Sequence, residues 1–185
     1  MQWFRKPASE PLAVSMPGVK LGDRLLILGC SDVALIAALA IKAGLTGRAC
    51  ILDESEAVRV RAAAAVEREG ALVESFAAPF TTLPFGAASF DVAVVRNVLG
   101  SIQQERRLPT GAEVHRVLRP GGRCVVIDDG GRGGLAGLLG GRGDRGYASA
   151  GGANAVLSGA GFRGVRTLAE REGLIFVEGV KPGHP

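Results

Sequence analysis

The sequence predicts an α/β fold built on a doubly wound, mostly parallel sheet. Segments typical of buried strands alternate with segments typical of helices at intervals of roughly 20–35 residues, the spacing of right-handed βαβ units. Near the C-terminus, two strand-like segments are joined by a connection too short for a parallel crossover. We therefore expect an open sheet that ends in an antiparallel hairpin.

The first βα unit begins with residues 25–28, a continuous apolar run typical of a central strand covered on both faces. Gly29 follows this run and permits a tight turn. Ser31 or Asp32 is placed to cap a helix predicted over residues 33–43.

The second unit repeats this pattern. A strand is predicted over residues 49–52 and is followed by Asp53 and Glu54. Ser55 then caps a helix rich in alanine and arginine. Residues 71–76 are predicted to form a short third strand.

The fourth strand is predicted over residues 90–95, after a loop that contains two prolines. Residues 103–118 have a largely helical pattern, although Pro109-Thr110-Gly111 is expected to break the helix. The turn Arg119-Pro120-Gly121-Gly122 then leads into a fifth strand at residues 123–127.

A glycine-rich segment covers residues 130–152. Glycine carries a high entropic cost of ordering and has no side chain to bury, so the segment is interpreted either as a mobile surface linker or as a flexible lid beside a binding pocket. A short helix at residues 154–160 follows. The hairpin then consists of strands at residues 162–168 and 174–181.

The length of 185 residues predicts one domain, residues 19–185, preceded by a polar, proline-broken arm at residues 1–18. Apolar residues make up 47% of the chain, yet no apolar run reaches the roughly 20 residues that cross a bilayer. The N-terminus also lacks the apolar stretch of a signal peptide. The expectation is a soluble, cytoplasmic protein without a membrane span.

Charge and cysteine content argue against a nucleic-acid-binding protein and against a protein built on disulfides or a metal site. The net charge of +4 is mild, and only one Trp and one Tyr are available for base stacking, so no nucleic-acid partner is expected. The cysteines, Cys30, Cys50 and Cys124, are odd in number and lack CxxC spacing. We therefore expect neither a disulfide framework nor a metal site, and buried cysteines that act as small hydrophobes.

Ligands of open α/β sheets bind beyond the carboxyl ends of the strands. Gly29 lets the chain turn tightly there, and the helix that follows presents unpaired N–H groups. Asp53, at the end of the second strand, is well placed to accept hydrogen bonds from ribose hydroxyls. The alternative is that Asp53 only caps the next helix.

Four later motifs carry a family resemblance: Thr82-Leu83-Pro84-Phe85, Ser89-Phe90-Asp91-Val92, Arg116-Val117-Leu118-Arg119-Pro120-Gly121-Gly122 and Ala160-Gly161-Phe162. In type and spacing they resemble the class I S-adenosylmethionine-dependent methyltransferases. The most similar group is the small-molecule, type 11 group that includes the quinone C-methyltransferases. The resemblance extends over residues 19–181.

The resemblance implies a seven-stranded, Rossmann-like sheet and S-adenosylmethionine as the cofactor. It also implies a small-molecule acceptor near the fourth strand. The residues that it assigns to cofactor binding are Gly29, Ser31, Asp32, Asp53, Glu54, Pro79, Phe80 and Arg96.

The chain departs from the family pattern at several positions. The family has an acid where Ile27 stands, which helps to hold the amino group of the cofactor, and glycines where Ser31 and Val33 stand. A second family acid, which receives the adenine amino group, aligns with Pro79. Histidines or aromatic residues that often follow the fourth strand are replaced by Gly100 and Ser101.

Without these two acids the cofactor would lose two hydrogen bonds to charged groups. The loss would cost about 3–6 kcal/mol of binding free energy, a factor of hundreds to tens of thousands in affinity. Asp32 lies in the loop itself and is either a helix cap or a replacement carboxylate for the cofactor.

No catalytic residue is assigned. Methyl transfer depends mainly on alignment, and a base is needed only if the acceptor loses a proton. Asp128 and Asp129 are the candidate bases, and Arg96 and Asn97 are candidates for orienting an acceptor. His115 is expected to be exposed on its helix, and His184 lies in the tail, so neither supports a nucleophilic triad.

Three functional hypotheses follow. The first is a methyltransferase with a divergent cofactor pocket, acting on a small molecule. The second is an inactive relative that serves as a binding or assembly module for a protein partner, which the short N-terminal arm and the missing acids favour. The third is a nicotinamide dehydrogenase, which would share only the first βαβ unit and the acid. A homo-oligomer is compatible with the first two.

Overall fold

The computed structural model describes residues 10–130 and 145–183. Its centre is a seven-stranded sheet in the order β3-β2-β1-β4-β5-β7-β6. The strands are β1 (Arg24–Leu28), β2 (Arg48–Asp53), β3 (Glu74–Ala77), β4 (Phe90–Arg96), β5 (Leu118–Asp129), β6 (Arg163–Arg171) and β7 (Leu174–Val180). Strands β1 to β5 pair parallel, β7 pairs antiparallel with β5, and β6 pairs antiparallel with β7. The predicted fold class is confirmed.

Helices cover both faces of the sheet. They are α1 (Leu12–Ser15), α2 (Val33–Ala43), α3 (Glu56–Arg68), α4 (Gln104–Val117), α5 (Arg145–Ser149) and α6 (Gly152–Gly159). One hydrophobic cluster packs α1, α2 and α3 against one face, and a second packs α4, α5 and α6 against the other. Side chains of β1 enter both clusters, which explains why this strand is apolar without alternation.

The terminal hairpin turns at Glu172 and Gly173, where φ is 57° and 75°. Positive φ at both central residues defines a type I′ turn, whose twist matches that of the two strands it joins. Strand β6 therefore extends to Arg171, beyond the end predicted from the sequence.

The predicted break in the fourth helix is wrong. Helix α4 is continuous from Gln104 to Val117 and contains Pro109. Its buried Val114 and Val117 belong to the second hydrophobic cluster. Gly111 allows α4 to approach α6, because a Cβ there would lie 3.1 Å from Val156 Cγ1. Tertiary packing thus outweighs the missing proline N–H.

The predicted turn before the fifth strand is an irregularity inside β5 rather than a separate element. The register of β5 against β4 shifts between Phe90 and Val92, and Gly121 has a φ of 74°. The backbone N–H of Gly121 donates to the carbonyl of Lys181, which attaches this bend to the chain after β7.

Other boundaries move by a few residues. The third strand is Glu74–Ala77, shorter and later than predicted, and the last helix starts at Gly152. The end of the glycine-rich segment forms α5, whereas residues 131–144 lie outside the described part of the chain.

The three cysteines are free and buried, as predicted, and burial raises the pKa of each thiol, to about 12 for Cys30, 11 for Cys50 and 12 for Cys124. In residues 10–130 and 145–183, no helix combines the length and apolar character needed to cross a membrane.

Candidate active site at the carboxyl edge of the sheet

The carboxyl ends of the five parallel strands lie along one edge of the sheet. The strand order reverses between β1 and β4, and open α/β sheets bind ligands in the crevice at such a point. The residues predicted to bind the cofactor all lie at this edge: Gly29, Ser31 and Asp32 after β1, Asp53 and Glu54 at the end of β2, Pro79 and Phe80 after β3, and Arg96 at the end of β4.

Gly29 is required by the close approach of β1 and β4. Its φ is 90°, and a Cβ at this position would lie 2.4 Å from the carbonyl oxygen of Arg96. Its N–H donates to the carbonyl of Leu52 at 3.0 Å. The turn after β1 therefore begins at a position where any residue other than glycine would force the backbone to move.

Asp53 connects the ends of β1 and β2. One carboxylate oxygen accepts the N–H of Cys30 at 3.0 Å, and the other accepts the N–H of Ser55 at 2.9 Å. Each carboxylate oxygen has about two lone pairs, so each can still accept a further hydrogen bond. Ser31, in the same loop, is exposed.

Glu54 connects the end of β2 to the loop after β3. Its carboxylate accepts the N–H of Phe80 at 2.8 Å and forms an ion pair with Arg106 of α4. Burial would raise the pKa of Glu54, but the hydrogen bonds from Arg106 and Phe80 outweigh it and lower the pKa. Phe80 is buried, and the Pro79 carbonyl accepts the N–H of Thr82 in the adjoining turn.

Asp32 is the N-cap of α2. Its Oδ1 accepts the N–H of Leu35 at 3.1 Å, which confirms the capping interpretation for Asp32 rather than for Ser31. Its Oδ2 accepts from the Nε of Arg96 at 3.3 Å. This ion pair crosses the crevice between β1 and β4.

Arg96 is held from the other side by β5. Its Nη2 donates to Asp129 at 2.8 Å and its Nη1 to the carbonyl of Ile127 at 3.3 Å. Asn97 also donates to Asp129, at 3.0 Å, from a backbone with a φ of 54°. A left-handed non-glycine residue is strained, and here the contacts with β5 hold it in place.

Asp128 points to the opposite face of the sheet from Asp129. Its Oδ2 accepts the hydroxyl of Tyr147 at 2.9 Å, whereas its Oδ1 is buried and has no hydrogen-bond partner among the residues that the structure describes. Burial raises the pKa of Asp128 to about 6, although the Tyr147 hydrogen bond and the charge of Arg96 act in the opposite direction. At neutral pH this carboxylate is an ionised, poorly solvated base.

Tyr147 lies between Asp128 and a small cavity. The guanidinium of Arg107 covers the ring at 4.9 Å from the centroid, a cation–π geometry. Burial and the nearby Asp128 carboxylate raise the pKa of the Tyr147 hydroxyl, so it remains a donor. Arg107 is itself buried and donates to the carbonyl of Leu99 at 2.9 Å.

Two cavities flank this edge on opposite faces of the sheet. The one beside Tyr147 has a volume of about 170 Å³ and is lined by α4, α5 and α6, with Gln104, Arg107 and Tyr147 as its polar side chains. The other, about 380 Å³, lies between α1 and α2 and is mostly apolar, with Asp32 and Glu10 at its boundary.

His115 does not belong to this edge of the sheet. The expectation that His115 is exposed is wrong: its ring packs edge-on against Phe162 at 5.0 Å, and burial lowers its pKa. His184 lies outside the described residues. Gly100 faces Tyr147, because a Cβ there would lie 3.2 Å from the ring.

Sequence reasoning missed the partners of the predicted residues. Arg106 and Arg107 belong to a helix in which arginines are expected on the surface, and nothing in the sequence marks the second of them as buried. Tyr147 offered a weak signal, since it is the only tyrosine of the chain and lies at the end of the glycine-rich segment.

Known proteins resemble this chain in sequence and in fold. Residues 26–126, more than half of the chain, match the protein family described as "Methyltransferase domain". The 2-phytyl-1,4-beta-naphthoquinone methyltransferase, chloroplastic, of Arabidopsis thaliana is 32% identical over 121 residues. The aligned region is 63% of this chain and 46% of that relative, so the chain spans less than half the length of this curated protein.

Solved structures share the fold. A SAM dependent methyltransferase from Aquifex aeolicus matches with a TM-score of 0.72 and 19% identity over 92% of both chains. The S-adenosylmethionine-dependent methyltransferase SibL in its apo form matches with a TM-score of 0.73 and 22% identity, over 94% of this chain and 55% of that one. At such identities the likeness establishes the fold.

Proposed function

Because the chain belongs to the class I S-adenosylmethionine-dependent methyltransferase family, we propose that it transfers a methyl group from S-adenosylmethionine to a small-molecule acceptor. The observation that carries the proposal is the position of Asp53, whose carboxylate is bonded to the turn after β1 at the carboxyl edge where the strand order reverses. This is the place at which an open α/β sheet receives a nucleoside.

The residues at this edge fit the cofactor. Both oxygens of Asp53 can accept ribose hydroxyls in addition to their backbone donors. Gly29 keeps the backbone of this turn free of a side chain, and we assign Ser31, Glu54, Pro79 and Phe80 to the walls of the cofactor groove.

Two positions provide less than the family pattern. Ile27 is fully buried and carries no polar atom on its side chain, and Pro79 has neither a carboxylate nor a backbone N–H. The groove therefore relies on Asp53 and on the charged pair Asp32–Arg96.

When bound, S-adenosylmethionine supplies a methyl group already activated by a sulfonium. The task of the chain is then to align the acceptor and exclude water, and to accept a proton where the acceptor must lose one. We assign this base to Asp128, whose pKa is raised to about 6 by burial and which would receive the proton through the hydroxyl of Tyr147, because Tyr147 lines the neighbouring cavity and donates to the Asp128 carboxylate. Asp129 is a weaker candidate because Arg96 and Asn97 already occupy its carboxylate.

The acceptor site that we propose is the cavity beside Tyr147. Its volume of about 170 Å³ is below the 300–1,000 Å³ of pockets for drug-sized ligands, which favours a compact acceptor or only the reacting ring of a larger one. The Arabidopsis relative is by its name a naphthoquinone methyltransferase, which supports a quinone-like ring as the acceptor class.

The alternative is a binding or assembly module that keeps the fold without the chemistry. The specific observation in its favour is that the three carboxylates of the groove, on Asp32, Asp53 and Glu54, already have partners within the protein. A protein partner, a homo-oligomer, a cytoplasmic location and the division into an arm (1–18) and one domain (19–185) stay predictions.

Product formation tests the proposal. The full chain is incubated with S-adenosylmethionine and a panel of reduced quinones and small phenols, and formation of S-adenosylhomocysteine is measured. The proposal expects turnover with at least one acceptor and its loss in Asp128→Asn at unchanged cofactor affinity. Binding of the cofactor without turnover on any acceptor, together with a stoichiometric protein partner, would favour the binding module.

A further inference from the structure

The ion pair between Asp32 and Arg96 lies where the strand order reverses. Asp32 follows β1 and Arg96 ends β4, and the Nε of Arg96 donates to Oδ2 of Asp32 at 3.3 Å. The side chain of Arg96 is only 11% exposed and that of Asp32 is 34% exposed. The pair is therefore largely shielded from solvent, and it lies at the switch point where ligands of such sheets bind.

Each member of the pair also has hydrogen-bond partners other than its counterpart. Asp32 is fixed by the N–H of Leu35 through its other oxygen, and Arg96 is fixed by Asp129 and by the carbonyl of Ile127. The contacts of Arg96 use three of the five N–H donors of its guanidinium. The two charges would therefore keep their positions if the bond between them were replaced by bonds to a ligand.

Such a pair is complementary to a zwitterion. A ligand ammonium can replace Arg96 at Asp32, and a ligand carboxylate can replace Asp32 at Arg96. This exchange leaves neither protein charge unpaired, and Arg96 keeps its ion pair with Asp129 throughout. A ligand with only a carboxylate would leave Asp32 without a charged partner, so the arrangement favours an α-amino acid group, whose ammonium takes the place of Arg96 at Asp32.

Strand β1 itself carries no acidic residue that could bind a ligand ammonium. Ile27, at the position where the family pattern has a carboxylate, is fully buried in the hydrophobic cluster beneath α2. The cavity of about 380 Å³ between α1 and α2 borders Asp32, so its carboxylate can be reached from that side. The open volume and the negative charge that a ligand ammonium requires are therefore both found at Asp32, whereas residue 27 offers neither.

We propose that the Asp32–Arg96 pair opens to bind the amino-acid end of S-adenosylmethionine, with Asp32 binding the ammonium and Arg96 the carboxylate. This inference rests on the proposed function. It assigns the work of the missing family acid to two residues that the free protein keeps bonded to each other.

The test compares two ligands by calorimetry on the full chain. S-Adenosylhomocysteine carries the amino-acid group, and 5′-methylthioadenosine has the same nucleoside without it. Asp32→Asn keeps a good helix cap while it removes the charge, and Arg96→Gln removes the guanidinium. We expect each variant to weaken binding of S-adenosylhomocysteine about 10- to 100-fold and to leave 5′-methylthioadenosine within about twofold.

Arg48→Gln and Glu74→Gln are the matched controls, because these residues form an exposed ion pair away from the groove. They should leave both affinities unchanged. Equal weakening of both ligands by the Asp32 and Arg96 variants would mean that the pair only maintains the fold, and no weakening would remove it from the site. Either result overturns this inference alone, whereas a wild-type chain that binds neither ligand overturns the proposed function as well.

Discussion

The carboxylate of Asp53 accepts the backbone N–H of Cys30 at 3.0 Å, which ties the end of β2 to the turn that follows β1. The bond makes the shape of the turn depend on an acid 23 residues further along the chain. Because the same carboxylate has free lone pairs at the carboxyl edge, one residue both shapes the groove and presents acceptors to a ligand.

Replacement of Asp53 should therefore weaken cofactor binding. We expect Asp53→Ala to raise the Kd for S-adenosylhomocysteine about 10- to 100-fold, since hydrogen bonds to a charged group contribute about 1.5–3 kcal/mol. Isothermal titration measures this effect. Glu74→Ala, which removes an exposed acid from the start of neighbouring β3, is the control and should bind like the wild type. An unchanged Kd in Asp53→Ala would exclude Asp53 from the site.

Gly29 should tolerate no side chain. In Gly29→Ala the new Cβ meets the Arg96 carbonyl at 2.4 Å, and the φ of 90° adds backbone strain, so we expect a loss of about 2–4 kcal/mol in the free energy of unfolding. Gly70→Ala is the matched control, because Gly70 has a φ of 80° but nothing within 4 Å of its added Cβ. Urea denaturation of both variants separates the clash from the strain. Equal decreases in the free energy of unfolding of the two variants would show that β4 moves aside for the added Cβ at little cost.

Asp128 should make the protein less stable as the pH rises. Its folded-state pKa of about 6 lies above the ordinary value of 3.8, so between these values the folded state binds more protons than the unfolded state. Stability should therefore fall from pH 4 to pH 6 by on the order of 2–3 kcal/mol, and remain low above it.

Denaturation midpoints at several pH values check this titration. Asp128→Asn should lose this part of the pH dependence and be at least as stable as the wild type at pH 7. Tyr147→Phe removes a hydrogen bond that lowers the pKa of Asp128, so the fall should shift to higher pH. Identical pH profiles for wild type and Asp128→Asn would contradict the raised pKa.

Replacement of Pro109 should stabilise α4. The residue is exposed in the helix interior, where proline lacks the N–H that would donate to residue 105. We expect Pro109→Ala to increase the free energy of unfolding by about 1–3 kcal/mol. Thermal denaturation measures the change. Destabilisation by this substitution would mean that the ring makes a contact that the helix needs.

The sequence was most informative where structure is local. Apolar runs, capping residues and glycine turns predicted where the parallel strands end, and these ends share one edge of the sheet. The continuity of α4 was not predictable, since the packing of Gly111 against α6 involves residues more than 40 positions away. Local propensity at Pro109 was therefore a poor guide.

The site was predictable only in part for the same reason. The positions of Asp32, Asp53, Glu54 and Arg96 after strands predicted that they lie at the carboxyl edge of the sheet, where the structure has them. Their partners were not, because the pairing of Glu54 with Arg106 and of Asp32 with Arg96 joins segments distant in sequence. The hydrogen bond from Tyr147 to Asp128 joins β5 to α5, a helix in a segment interpreted as a linker or a lid.

Titration of the full wild-type chain with S-adenosylhomocysteine tests the central claim most directly, because it requires no knowledge of the acceptor. The groove at the ends of β1 and β2 predicts saturable binding with a Kd below about 100 μM, or roughly 5.5 kcal/mol of binding free energy. The absence of any binding heat at millimolar ligand would contradict a cofactor site at this edge of the sheet.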